Sequence, residues 1–281
     1  MSTQTLEREN LKTLIQKELL DSLRNRWFLL FTAIFSLLAL GLSWMGLAGI
    51  RQYGVSGFGR TTASLINLVI LIVPLMGLTL GAMSLAGERE KGTLIYLLAQ
   101  PISHLEVLLG KYLGLGIALL TALCIGFGLS GLVLAIYGST SGVPAFLGLV
   151  FLTFLVALLS LGLGLLLSSG LQKSATALGS ALFIWLVFVF LGDLGLLGTS
   201  LVLRVPIEML FSLSLLNPLQ VFKMAAILLL RNNLEALGPA GLYAMRTYGN
   251  QLMPFLLGIL VLWSVLPTLL AYPIFKKRGG L

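Results

Sequence analysis

The chain has 281 residues, 58% of them hydrophobic and 10% charged, whereas a soluble domain carries about 25% charged residues. Its mean hydropathy is +1.02, and several uncharged runs exceed the roughly 18 apolar residues that mark a membrane span, which excludes a large soluble domain. The net charge of +8 is read as membrane topology and not as nucleic-acid binding, because Lys and Arg collect on the cytoplasmic side of membrane proteins.

Residues 6–26 are expected to form an interfacial helix. Leu11, Ile15, Leu19 and Leu23 fall at i, i+4 spacing, and Lys12, Gln16, Lys17, Glu18 and Asp21 fill the other face. Such a helix lies along a membrane surface or packs on the protein's own cytoplasmic side. Its first residues are polar and charged, and the apolar run after them is too long for a cleavable signal. Arg24 and Arg26 close the arm, and Trp27 stands where an aromatic belt residue belongs. Span one then covers 27–50, followed by a short loop with Arg51 and Arg60. Span two covers 61–86, with Pro74 near its middle.

The densest charge between the two ends of the chain comes next, Gly87-Glu88-Arg89-Glu90-Lys91-Gly92-Thr93-Leu94. A short helix is expected to stop at Pro101. Ser103 and Glu106 then match a capping box, with Ile102 and Val107 at the positions of a hydrophobic staple. A new helix therefore starts at His104 and enters span three, 107–137. Spans four and five cover 143–168 and 175–191, with Lys173 between them and Asp193 after them. Residues 199–253 mix apolar runs with Arg204, Glu208, Lys223, Arg231, Glu235 and Arg246, broken at Pro206, Asn217-Pro218 and Gly238-Pro239. No run there is long enough to span alone. Span six covers 252–275, and Lys276-Lys277-Arg278 follow it.

Six spans place both termini on one side. With that side cytoplasmic, twelve basic residues lie inside and six outside, four of those six in the long 199–253 segment, where the positive-inside rule weakens. The reading is an all-α, multi-pass integral membrane protein built as a single domain over 1–281. It has an N-terminal interfacial helix at 6–26, a cytoplasmic charged element at 87–104 between spans two and three, and a helical outer segment at 199–253. Gly110, Gly114, Gly116, Gly162 and Gly164 allow close helix packing, chiefly within the chain.

Chemistry is scarce. One cysteine, Cys124, excludes an internal disulfide framework, and one histidine, His104, excludes a His-rich metal site. Asn67, Thr121, Cys124 and Asp193 are scattered over different spans without a nucleophile–base pair. No series of membrane acids or histidines offers a proton path. Met209, Met224, Met245 and Met253 are spaced for packing and not as a thioether metal motif. No metal site and no cofactor are assigned to the chain. A phosphate-binding Gly-x-x-x-x-Gly-Lys-[Ser/Thr] loop is absent, so the chain is not an enzyme that hydrolyses ATP. Driven work would need a partner on the cytoplasmic face, where 87–104 is the obvious contact.

The run Gly87 to Leu94, followed by Leu108-Leu109-Gly110-Lys111, resembles the loop between spans two and three in the six-span permeases of ATP-binding-cassette exporters. Lys17-Glu18-Leu19-Leu20 before Arg24-Asn25-Arg26-Trp27 is similar to that family's N-terminal arm. Within the family, Arg24 to Trp27, Asn217-Pro218 and the ending Leu270-Ala271-Tyr272-Pro273-Ile274-Phe275-Lys276 resemble the permeases of the nitrous oxide reductase maturation system. The resemblance implies a homodimer in the lipid bilayer of the bacterial inner membrane. It implies a separate cytoplasmic ATPase subunit that binds ATP and Mg. The 87–104 segment would be the coupling helix, with Gly87, Glu88, Arg89, Glu90, Lys91, Gly92, Thr93, Leu94, Tyr96, Pro101 and His104 at the ATPase interface. Asn217, Pro218, Lys223 and Arg231 would face a periplasmic β-helix protein. The complex would serve assembly of the copper–sulfur centre, through copper or sulfur handling. Two other readings stand beside this one: a permease for another cargo, such as a lipid, peptide or antibiotic, and a membrane scaffold that moves nothing.

Overall fold

Long uncharged runs leave the backbone few ways to satisfy its N–H and C=O groups in hydrocarbon, and the helix does so within one segment. The computed structural model describes residues 8–53, 57–137, 142–192, 206–229 and 239–278, and these form helices and no strand. In order they are α1 (Arg8–Arg24), α2 (Arg26–Tyr53), α3 (Gly57–Glu90), α4 (Thr93–Leu98), α5 (His104–Tyr137), α6 (Val143–Gly170), α7 (Ser174–Leu186), α8 (Ile207–Leu216), α9 (Pro218–Leu229), α10 (Pro239–Tyr248) and α11 (Leu252–Arg278). A π turn, Val187–Leu191, continues α7.

Among the described residues, five stretches are long and apolar enough to cross a membrane: Arg26–Gly46, Ser64–Glu90, His104–Ile136, Val143–Gly170 and Tyr243–Arg278. The expected fifth span corresponds to a shorter apolar stretch, Ser174–Phe190. The pair α8 and α9 passes the same test only jointly, bent by 108° between them. The expected loop with Arg51 and Arg60 is mostly helical, since α2 runs to Tyr53 and α3 begins at Gly57.

The core is centred on α3 and α6, which touch along small residues. A Cβ on Gly81 would lie 2.5 Å from the Leu161 carbonyl oxygen, and one on Gly164 would lie 2.5 Å from that of Leu78. Backbones approach this closely only without side chains, and dispersion then replaces the missing hydrophobic drive between helices in lipid. Gly116 and Gly162 make similar approaches to Leu158 and Thr268, so the small residues read from the sequence do serve packing within the chain. Helices α11 and α5 also pack on α6, α2 packs on α3 and α5, and α7 covers α3. Span hydroxyls turn back on their own helices: Thr32 donates to Phe28 O, Thr79 to Leu75 O and Thr153 to Leu149 O. Trp185 donates its indole N–H to Leu71 O, within one turn of Pro74.

Of the 199–253 segment, the described residues 206–229 and 239–253 include one helix that packs into the bundle. Helix α9 is buried through Pro218, Leu219, Gln220, Val221 and Phe222 and packs on α6, α11 and α3. Asn217 makes the bend. Its side-chain N–H donates to Phe188 O in the π turn (2.7 Å), and its Oδ1 accepts the Leu219 N–H (3.0 Å). Phe211 of α8 meets the rings of Tyr243 and Tyr248, and Tyr248 stacks on Phe255. Asp193, Arg204, Arg231 and Glu235 lie outside the described residues.

Candidate functional site

The 87–104 stretch is three pieces and not one helix. Gly87 to Glu90 form the last turn of α3. Gly92 then adopts φ 72°, a left-handed conformation that glycine accepts at no steric cost and that ends helices. The Gly92 N–H closes the turn on Arg89 O (3.0 Å), and the Thr93 hydroxyl donates to Glu88 O (3.2 Å). Six residues of α4 follow. Leu94 is buried at 3% exposure, while Ile95 and Tyr96 stand out at 70% and 77%. One side chain thus pins α4 to the core and two large ones face away from it. Helix α4 ends at Leu98, before Pro101, and a turn closed by the Ile102 N–H on Gln100 O leads out of it.

The capping box is present in full. The Ser103 N–H donates to Glu106 Oε2 (2.7 Å), and the Glu106 N–H donates to Ser103 Oγ (3.2 Å). Two donors that α5 could not satisfy internally are thereby paired. Ile102 packs against the core and Val107 lies within it. His104, the first residue of α5, meets the Phe275 ring edge-on at 5.4 Å, which joins this corner to the end of α11. Ser103→Ala is expected to lower stability by about 1 kcal/mol, with Ser103→Thr near the parent, as read by thermal unfolding in detergent.

The charged head of the stretch is engaged within the chain. Lys111 of α5, 1% exposed, donates to Glu18 Oε1 of α1 (2.8 Å) and pairs with Glu88 Oε1 of α3 (2.9 Å). Lys17 reaches the same two oxygens at 3.4 and 2.9 Å. Two cations and two anions thus form a closed, neutral set that ties α1, α3 and α5 together. Glu18, expected on the outer polar face of the arm, is buried because α1 lies across α5. A Cβ on Gly114 would sit 2.7 Å from the Glu18 Cβ, and one on Gly110 would sit 2.7 Å from that of Leu14. The buried face of α1 is therefore Leu14, Glu18 and Ser22, while Leu20 and Leu23 are exposed. Burial pulls the Lys17 ammonium down, but the hydrogen bond and charge of Glu88, and then those of Glu18, outweigh it and hold Lys17 above its usual range.

Arg89 turns toward the end of α6, and Glu90, exposed, reaches the start of α7. Arg89 donates to Ser168 O and Leu171 O, and Arg278 at the end of α11 donates to Gly170 O. Two guanidinium groups thus satisfy carbonyls at a helix C-terminus, where the macrodipole favours cations. Glu90 accepts the Ser174 N–H at the start of α7 (2.9 Å), and Ser168 Oγ accepts the Leu85 and Ala86 N–H groups. Glu88 Oε2 and the Arg89 Nε and Nη2 atoms are buried without a hydrogen-bond partner. Of the interface residues expected from the sequence, Glu90, Lys91, Thr93, Tyr96 and Pro101 are exposed, whereas Gly87, Glu88, Arg89, Gly92, Leu94 and His104 are partly or fully buried. Ile95, not singled out by the sequence reading, completes the exposed face beside Tyr96.

The expected outer contacts separate in a similar way. Pro218 is buried, Asn217 serves the bend, and Lys223 is half-buried, so their geometry is that of internal packing. Among the described residues of that region, the large exposed apolar ones are Ile207, Met209, Leu213 and Leu216 of α8 and Met245 of α10.

Comparison with known proteins gives one family and two close relatives. Residues 12–279 match the family described as "ABC-2 family transporter protein". The chain is 35% identical over 273 residues to the "Probable ABC transporter permease protein NosY" of Stutzerimonas stutzeri, covering 94% of this chain and 96% of that one. It is 33% identical over 281 residues to the protein of the same description in Pseudomonas aeruginosa, covering 95% and 98%. The chain therefore belongs to the ABC-2 family of transporter permeases.

Proposed function

We propose that this ABC-2 permease is the membrane subunit of the nitrous oxide reductase maturation system, driven by a NosF-like ATPase that docks on 87–104. The observation that carries the docking reading is the build of α4. Ile95 and Tyr96 face outward on a six-residue helix pinned by Leu94, with the Lys111 ion set before it and the Ser103 capping box after it. An element that transmits force has to be short and fixed at both ends, and this one is. Its exposed aromatic and aliphatic pair has the chemistry of an interface anchor. Glu88 and Arg89 act behind that surface, passing its movement to α1, α5 and α6.

The remaining parts follow from the reading. ATP and Mg stay on the ATPase subunit. The chain works as a homodimer in the bacterial inner membrane with both termini and the basic end of the bundle in the cytoplasm. The α8–α10 region faces the periplasm, where exposed Met209, Leu213, Leu216 and Met245 offer an apolar surface to a NosD-like β-helix protein. Cargo chemistry is copper or sulfur supply for the copper–sulfur centre; the likeness to two permeases described as NosY supports the subunit assignment. Deleting the gene in its own host should leave the reductase polypeptide present but without the absorption of its copper–sulfur centre, and supplying the gene in trans should restore it. A fully loaded reductase in the deletion strain would reject the maturation role and leave the family membership standing.

A further inference from the structure

We infer that the cavity beneath the junction of α1 and α2 holds an acyl chain of a phospholipid whose headgroup carries a primary ammonium. The cavity has a volume of about 350 Å³ and lies between α1, α2, α3, α5 and α7. That is within the range of small-molecule sites, which begins near 300 Å³. Its walls are hydrocarbon and sulfur, from side chains such as Phe28, Phe31, Met76, Leu80 and Leu178. The hydroxyls among them are used on their own helices: Ser22 donates to Glu18 O, Thr79 to Leu75 O and Ser84 to Gly81 O. The interior thus offers a guest apolar contact and little else.

The rim has the opposite character. Glu18, Asp21, Ser22, Asn25 and Trp27 surround it, and among the described residues no Lys or Arg lines the cavity. The Glu18 charge is matched by buried Lys111 (2.8 Å). Asp21 is exposed and is the unmatched charge among the lining residues; Arg24 and Arg26, exposed beside the rim, do not line the cavity. Asn25 accepts the Trp27 N–H through Oδ1 (3.0 Å), which leaves its NH₂ group as a donor. One carboxylate and one amide donor beside an apolar pit complement an ammonium and a phosphate oxygen at the head of a hydrocarbon chain. The mouth lies where the chain passes from the amphipathic arm into the first span, next to Trp27, the depth at which indole rings and lipid headgroups meet. An anionic headgroup would face Asp21 with like charge. A second protein copy would bury Asp21 with no basic residue of the cavity to match it.

The test is native mass spectrometry of the full-length permease, delipidated in detergent and re-equilibrated with phosphatidylethanolamine or phosphatidylglycerol at equal mole fraction. The expected result is about one phosphatidylethanolamine retained per chain, with a preference of about tenfold or more, as one charge-assisted hydrogen bond supplies. Asp21→Asn, which keeps the volume, should abolish the preference, and Leu178→Trp, which fills the pit, should abolish retention of either lipid. Unchanged thermal unfolding of Asp21→Asn separates loss of the site from loss of the fold. Equal retention of the two lipids by the parent protein overturns the inference. Selectivity that survives Asp21→Asn, or retention that survives Leu178→Trp, also overturns it.

Discussion

Replacing Lys111 by Met is expected to cost the folded protein about 3–5 kcal/mol, the range for breaking a buried ion pair on one side only. Lys111 is 1% exposed and lies 2.8 Å from Glu18 and 2.9 Å from Glu88. Without it, buried Glu18 and half-buried Glu88 share one remaining cation, Lys17, which is 44% exposed on its side chain and so well screened by water. Native domains have only about 5–15 kcal/mol in total, so the variant should accumulate poorly and melt early in detergent. The loss falls on one junction, because α1, α3 and α5 meet at these four side chains. Neutralising the acids as well, in a Lys111→Met, Glu18→Gln, Glu88→Gln variant, should return most of the stability, since uncharged groups of similar shape carry no such desolvation penalty. A single Lys111→Met variant that melts with the parent would show that α1 is held by its Leu14 and Gly110 packing alone.

The parts of the molecule ruled by one-dimensional pattern could be read before any coordinates. Uncharged length marked α2, α3, α5, α6 and α11, because a span must be apolar over its whole length wherever it packs. The restart at Ser103 was readable because a capping box is local, with both partners within four residues. Contacts set by tertiary approach were not readable. Glu18 has the composition of a surface residue, and nothing in its neighbourhood announces that Gly110 and Gly114, far along the chain, open a groove for α1 to lie in. Glu88 and Arg89 looked like a solvated head for the same reason, since their partners Lys111, Ser168 and Leu171 are distant in sequence. A signal did exist in hindsight: Lys111 is the one Lys or Arg of the long apolar helix α5, and a cation in such a helix needs an anion beside it. The insertion of α9 escaped detection because Pro218 begins a run too short to span by itself. Length alone says nothing of the neighbours α6 and α11 that bury it.

Substituting both Ile95 and Tyr96 by Asp is expected to weaken docking of an ATPase subunit by about thirtyfold or more while leaving the permease folded. The two side chains are 70% and 77% exposed, so they contribute little to the chain's own core and their replacement should not move its melting temperature. In an interface, a buried aromatic anchor is worth about 2 kcal/mol or more, which is about a thirtyfold change in affinity at 1.4 kcal/mol per factor of ten. Two adjacent anchors, each replaced by a carboxylate that must be desolvated on docking, should exceed that. Leu94→Asp is the informative contrast, because Leu94 is 3% exposed and its loss should release α4 from the core and lower stability directly. Glu88→Gln sits between them, leaving the outer face of α4 intact while weakening its link to Lys17 and Lys111. The decisive measurement is the affinity of the separately purified ATPase subunit for the full-length permease in lipid nanodiscs, parent against the Ile95→Asp, Tyr96→Asp variant. A fall of about thirtyfold or more with unchanged thermal unfolding is the predicted result, and an unchanged affinity would contradict the assignment of 87–104 as the docking element.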